Sequence, residues 1–178
     1  MLSILKGILR ASGIEPRAFY ESICSWSIRM SRSSTAYAKM QETLRKIVPY
    51  ISRQEESEKD IFNDYWELKR RSLQAFQCSL MLKALEGFPR RKLTVVDIGD
   101  SAGTHMIYLK ELVKGTYDID SISVNLDQRA IEKIRARGLK AILCRAEELD
   151  IGSGSPDIFT SFEMVEHLHD PATFFRRL

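Results

Sequence analysis

The chain has 178 residues, 44% hydrophobic and 29% charged, a balance that fits a folded globular protein and excludes an intrinsically disordered one. Its formal charge is +3, split unevenly, with +6 on residues 1–91 and −3 on residues 92–178. The three cysteines, Cys24, Cys78 and Cys144, form no C-x-x-C pair, so neither a disulfide framework nor a zinc site is indicated.

No apolar run reaches the ~18 residues of a membrane span. Lys6 and Arg10 interrupt the apolar start of the chain, which argues against a signal peptide. A cytoplasmic location is the expectation. The basic residues of the first half are interleaved with acids and read as a solvated helical surface. No basic patch interleaved with aromatics appears, so nucleic acid is not an expected partner.

Residues 1–91 read as helices. Leu2, Leu5, Ile8 and Leu9 recur at helical spacing, and Gly13 with Glu15-Pro16 ends that helix and opens the next. Phe19, Ile23, Trp26 and Met30 mark one face of the second helix. A third starts near Thr35 and stops at Pro49. A long helix is predicted over about 55–86, with a stripe running from Ile61 and Phe62 through Tyr65, Leu68, Leu73, Phe76 and Leu80 to Leu85, closed by Gly87.

From Lys92 the period changes. Strands are predicted at 93–98, 120–125, 140–144 and 157–162, and helices at 103–114, 128–137 and 171–178. Gly152-Ser153-Gly154-Ser155-Pro156 is a loop. Strands alternating with helices across short links predict a parallel sheet with right-handed crossovers. The fold class is therefore α/β, four parallel strands with flanking helices, preceded by an all-helical region.

Leu93–Ile98 leads into a glycine turn, Asp97-Ile98-Gly99-Asp100-Ser101-Ala102-Gly103. Gly99 is able to take a positive φ, and Gly103 is expected to let the next helix pack close to the strand. The helix start aims N–H groups back at the turn. Asp97 at the strand end would repel a phosphate and welcome an ammonium, a sulfonium or ribose hydroxyls. In a parallel sheet ligands bind beyond the carboxyl ends of the strands. The other strand ends are Asn125-Leu126-Asp127, Cys144-Arg145-Ala146-Glu147-Glu148, and Phe162-Glu163 leading to Glu166-His167-Leu168-His169-Asp170-Pro171.

The D-x-G-x-x-x-G turn resembles the first motif of class I S-adenosylmethionine-dependent methyltransferases, with Ser101 where that family has its middle glycine. The segment 156–171 is similar to the F-D-x-V-x-x-x-x-V-x-E-H-L-x-D-P stretch of the small-molecule and lipid-quinone members. The resemblance covers residues 92–178 and implies S-adenosylmethionine as cofactor, with methyl transfer to a small-molecule, lipid or glycan acceptor. It assigns Asp97, Gly99, Asp100, Ser101 and Gly103 to the methionine end. Asn125, with Leu126 beside it, falls to the ribose, where the family has an acid. Arg145, Ala146 and Glu147 fall to the adenine, Arg145 replacing the family's Asp. Phe162 and Glu163 would line the cofactor near the acceptor, and His167 or His169 is a possible proton acceptor.

The family sheet has seven strands, and this chain supplies four. The expectation is a piece of a longer enzyme, residues 1–91 serving as a cap, an oligomerisation surface or an acceptor-binding element. The fourth strand would be a bare edge unless a second copy covers it. The alternative is a non-catalytic methyltransferase-like module acting through its helical half, since Ser101, Asn125 and Arg145 each replace a usual cofactor contact.

Overall fold

The structure, a computed structural model, describes residues 2–31, 35–51, 63–89, 91–151 and 156–178. It divides into two compact units, Met1–Ala75 and Phe76–Leu178.

The first unit holds α1 (Leu2–Ala11), α2 (Pro16–Ser31), α3 (Thr35–Ile47) and the start of α4 (Asp64–Leu85). The predicted punctuation is where these helices end. Ile14 N–H returns to the Leu9 carbonyl at 2.8 Å, Pro16 opens α2, and the Glu15 carboxylate accepts from Ala18 N–H at 2.8 Å. Residues 55–62 of the predicted long helix, with Ile61 and Phe62 of its stripe, lie outside the described residues; within them the helix opens at Asp64, where the Asn63 side chain accepts from Trp66 N–H at 3.1 Å.

The buried seam of α4 differs from the predicted stripe. Tyr65, Leu68, Arg71, Ala75, Cys78, Met81 and Leu85 are buried, while Leu73, Phe76 and Leu80 are substantially exposed. The predicted stripe took only the large apolar residues. Arg71 belongs to the seam because the end of α3 leaves carbonyls that need donors. Its guanidinium donates to the carbonyls of Val48 at 2.8 Å and Pro49 at 2.9 Å, and to Glu67 at 3.1 Å. Ile23, Trp26 and Met30 on α2 are exposed. Helical spacing shows that residues share a face, not that anything covers it.

The second unit contains β1 (Lys92–Ile98), α5 (Thr104–Leu112), β2 (Asp118–Asn125), α6 (Gln128–Ala136), β3 (Lys140–Leu143), β4 (Ile158–Thr160) and α7 (Pro171–Arg177). The strands form one parallel sheet in the order β3-β2-β1-β4. This is the predicted α/β architecture, with most element ends moved by one or two residues. β2 starts at Asp118, whose N–H bonds the Arg91 carbonyl at 2.7 Å. β4 is shorter than predicted. Asp157 pins its start, accepting from Thr94 N–H at 2.8 Å, and the chain leaves the sheet through Glu163, which has a φ of 52°. The predicted loop residues 152–155 lie outside the described residues. Among the described residues β4 pairs with β1 alone.

Alternation along β1 sends Val96 and Ile98 to one face and Leu93, Val95 and Asp97 to the other. Val96 and Ile98 join Val124, Ala146, Leu149 and Phe174 in the core of the first face. β2 and β3 lie on one side of β1 and β4 on the other, so strand order reverses at β1. That is where the C-terminal ends of a parallel sheet leave a crevice.

Candidate functional site

The glycine turn after β1 is held by the protein's own polar groups. Gly99 N–H donates to the Val124 carbonyl at 2.9 Å, which fixes the turn to the end of β2. The Asp100 carboxylate accepts from Ala102 N–H at 3.1 Å and His105 N–H at 2.9 Å. The anion at the start of α5 is therefore Asp100 itself, which corrects the expectation of N–H groups left open for a ligand. Asn125 donates to the Asp100 carbonyl at 3.3 Å, and Arg137 donates to the Ala102 carbonyl at 2.8 Å. Gly103 caps α5 at φ 71°. A Cβ there would lie 2.6 Å from Leu139 Cδ1 and 3.4 Å from Ile134 Cγ2, so its close neighbours are α6 and Leu139, just before β3, rather than the strand expected from the sequence.

The ends of all four strands meet in one cavity of about 210 Å³. Ile98, Gly99, Val124, Leu126, Met164 and Leu168 give it apolar surface. Asn125, Arg145, Glu147, Glu163 and His167 bring polar groups, and Cys144 and Ala146 complete the lining. Of the residues singled out in the sequence, Gly99, Asn125, Leu126, Arg145, Ala146, Glu147 and Glu163 thus share one wall system. Asp97, Asp100, Ser101, Gly103 and Phe162 do not line it. Asp97 is buried behind the turn, Ser101 is exposed, and the Phe162 ring packs edge-on against His105 at 5.0 Å between centroids. Of the two candidate proton acceptors, His167 lines the cavity and His169 does not.

Met164 is a lining residue that the sequence reading missed. It packs over Gly99, where an added Cβ would fall 2.6 Å from Met164 Cγ and 2.8 Å from its Cβ. Gly99 also has a φ of 99°, which side chains rarely adopt. Gly99→Ala is expected to destabilise the unit by about 1–3 kcal/mol and to push Met164 into the cavity. Urea unfolding measures the first effect; a change in the Met164 methyl resonance reports the second.

Glu147 and Arg145 form the cavity's charged rim. The Arg145 guanidinium lies 3.6 Å from Glu147 and 3.9 Å from Glu148. Hydrogen bonding to the Glu147 backbone N–H holds its carboxyl below the usual range, assisted by the charge of Arg145 and the backbone of His169 and Asp170. The Asn125 side chain accepts from Asp127 N–H at 2.9 Å, leaving it one N–H and one lone pair to offer.

Behind the turn sits a second cluster. Thr160 Oγ1 donates to Asp97 Oδ1 at 2.6 Å from the neighbouring register position on β4. His105 Nδ1 lies 3.3 Å from Asp97 Oδ2 and 3.7 Å from Asp100 Oδ2, and its Nε2 lies 3.1 Å from Gln77 Oε1. Burial opposes charging the ring, but the hydrogen bond and charge of Asp97 outweigh it. With Asp100 and Glu163 they push the imidazole pKa up to about 9. Burial pushes the Asp100 carboxyl above its usual value, with His105 opposing and Asp97 adding to the rise. Nothing in the sequence marked His105 except its place two residues beyond Gly103.

The model of a methyltransferase domain family matches residues 96–178, just under half of the chain. No curated protein matches it significantly. Among solved structures, coclaurine N-methyltransferase bound to N-methylheliamine and S-adenosylhomocysteine aligns with a TM-score of 0.51 at 12% identity, over 98% of this chain and 58% of that one. A putative S-adenosylmethionine-dependent methyltransferase from Methanococcus maripaludis aligns with a TM-score of 0.49 at 17% identity, over 57% and 48%. The plantazolicin methyltransferase BpumL in complex with S-adenosylhomocysteine aligns with a TM-score of 0.47 at 15% identity, over 79% and 56%. The chain spans about half the length of these solved chains. Residues 96–178 are similar to a methyltransferase domain, and the four parallel strands in the order β3-β2-β1-β4 form a Rossmann-like sheet. Among the described residues no helix is long and apolar enough to cross a membrane.

Proposed function

We propose that the sheet unit is the cofactor-binding part of an S-adenosylmethionine-dependent methyltransferase whose acceptor is a small molecule, a lipid or a glycan. The observation that carries this reading is the single cavity shared by the ends of β1, β2, β3 and β4. Its size is below the roughly 300–1,000 Å³ of pockets that enclose whole drug-sized ligands. It suits a nucleoside-sized group.

The donor set fits that group. The turn N–H groups that would cradle a phosphate bond Asp100, and the Arg145 guanidinium faces Glu147 and Glu148. What remains on offer is mostly acceptor: two carboxylates, an amide and backbone, between apolar walls. A nucleoside with hydroxyls and an amine meets those groups; a dinucleotide pyrophosphate does not. Asn125 takes the ribose hydroxyls with its spare N–H and lone pair. The backbone at Ala146 reads the adenine edge, and the exposed Arg145 plane stacks on the purine. Asp97 and Asp100 supply negative charge at the methionine end.

When bound, the cofactor supplies a methyl group already activated on a sulfonium. The chain has only to align it and keep water away. Glu163 and Met164 line the cavity beside His167, whose ring is placed to take a proton from an acceptor. Titration with S-adenosylhomocysteine in a calorimeter tests the reading. Micromolar binding, with none for a reduced nicotinamide dinucleotide, is the expected result. No heat up to millimolar S-adenosylhomocysteine would instead favour the non-catalytic module.

A further inference from the structure

Asp97 is sealed from solvent. Its side chain is 1% exposed and that of Asp100 is 7%, whereas His105 is 14% exposed and is the most accessible member of the cluster. Each ring nitrogen of His105 faces an acceptor: a carboxylate oxygen at Nδ1 and the Gln77 amide oxygen at Nε2. A ring placed between two acceptors is satisfied only when both nitrogens carry hydrogen, which is the imidazolium form. The charged groups facing it are Asp97 from β1, Asp100 from the turn and Glu163 from the segment after β4; Gln77 from α4 and the Phe162 ring are its neutral neighbours.

We propose that His105 is the resident cation of the methionine end of the site, and that a ligand ammonium takes over its carboxylate with release of one proton. The inference rests on the cofactor reading above. An ammonium reaching for Asp97 meets His105 first, and two cations held against one carboxylate repel each other. The Nδ1 proton leaves to solvent and its electron pair stays on the nitrogen. The ammonium keeps its hydrogens, donating to Asp97 and to the vacated Nδ1. The Nε2–H bond to Gln77 is kept throughout, and the ring turns about it to open Asp97 to the ammonium.

Two measurements on the full chain test this. Calorimetry with S-adenosylhomocysteine at pH 7.5, in buffers of different ionisation enthalpy, is expected to show close to one proton released per ligand bound. Affinity should rise about tenfold per pH unit until the His105 pKa of about 9 is passed. In His105→Gln, which keeps a polar side chain but carries no proton to release, binding should be independent of buffer and pH. Without ligand, the His105 ring resonances should titrate near pH 9, and saturation with S-adenosylhomocysteine should move that titration down by two units or more. Ligand binding without proton release, or a ring that titrates at its ordinary value in the free protein, overturns the proposal and leaves the cofactor reading intact. Failure of both proteins to bind S-adenosylhomocysteine at any pH overturns the cofactor reading, and the proposal with it.

Discussion

Replacing Asp97 by alanine is expected to destabilise the sheet unit by on the order of 3–5 kcal/mol, the cost typical of removing one partner of a buried ion pair. The carboxylate is fully buried and joins three elements: its own strand β1, Thr160 on β4 through a 2.6 Å hydrogen bond, and His105 on α5 at 3.3 Å. Its loss leaves the Thr160 hydroxyl and a buried imidazolium short of an acceptor. Asp97→Asn keeps an acceptor for Thr160 and removes only the charge, so it should cost less than the alanine variant. Urea unfolding followed by circular dichroism separates the two. A cost below about 1 kcal/mol for Asp97→Ala, which is no more than an average single substitution, would mean that the cluster does not hold β1, β4 and α5 together.

The second large effect is on the pH dependence of stability. The His105 imidazole is raised in the folded protein from its ordinary 6.5 to about 9. A raised base contributes stability that is fully present below its unfolded pKa and is lost as pH climbs through the folded one. Stability should therefore fall between about pH 6.5 and pH 9, by on the order of 3 kcal/mol for a shift of this size. In His105→Gln the decline across this window should disappear. Equal slopes in the two proteins would place the proton elsewhere.

Both effects belong to a part of the site that sequence reading reaches only halfway. The strand β1, the turn at Gly99 and Gly103, and the strand–helix alternation were legible because each is a local property: a short apolar run, glycines in a tight turn, a change of hydrophobic period. The rule that ligands collect beyond parallel strand ends, together with the family resemblance, picked Asn125, Leu126, Arg145, Ala146, Glu147 and Glu163, which do share the cavity, and Phe162, which does not line it. Gln77 and His105, 28 residues apart, meet only in the folded chain. Met164 and Leu168 come from an irregular segment whose path depends on the left-handed backbone at Glu163. Arg71 shows the converse error, a charge in an apolar seam, there to satisfy carbonyls that Pro49 leaves without donors.

Asn125 and Arg145, where the sequence departs from the family pattern, have structural partners of their own. Asn125 uses one N–H to hold the turn through the Asp100 carbonyl, a donation an ionised carboxylate could not make. Arg145 faces the acids at the start of the following turn. Each has therefore been recruited to brace the turn or the rim while keeping a face towards the cavity.

The central claim is that four strand ends build one nucleoside site. Mapping the amide resonances of the isotope-labelled chain during titration with S-adenosylhomocysteine tests it most directly. The largest shifts should fall together on Gly99, Asn125 and Leu126, Arg145 to Glu147, and Glu163 and Met164. Saturable binding whose shifts lie in α1 to α3, or on only one of those strand ends, would contradict it.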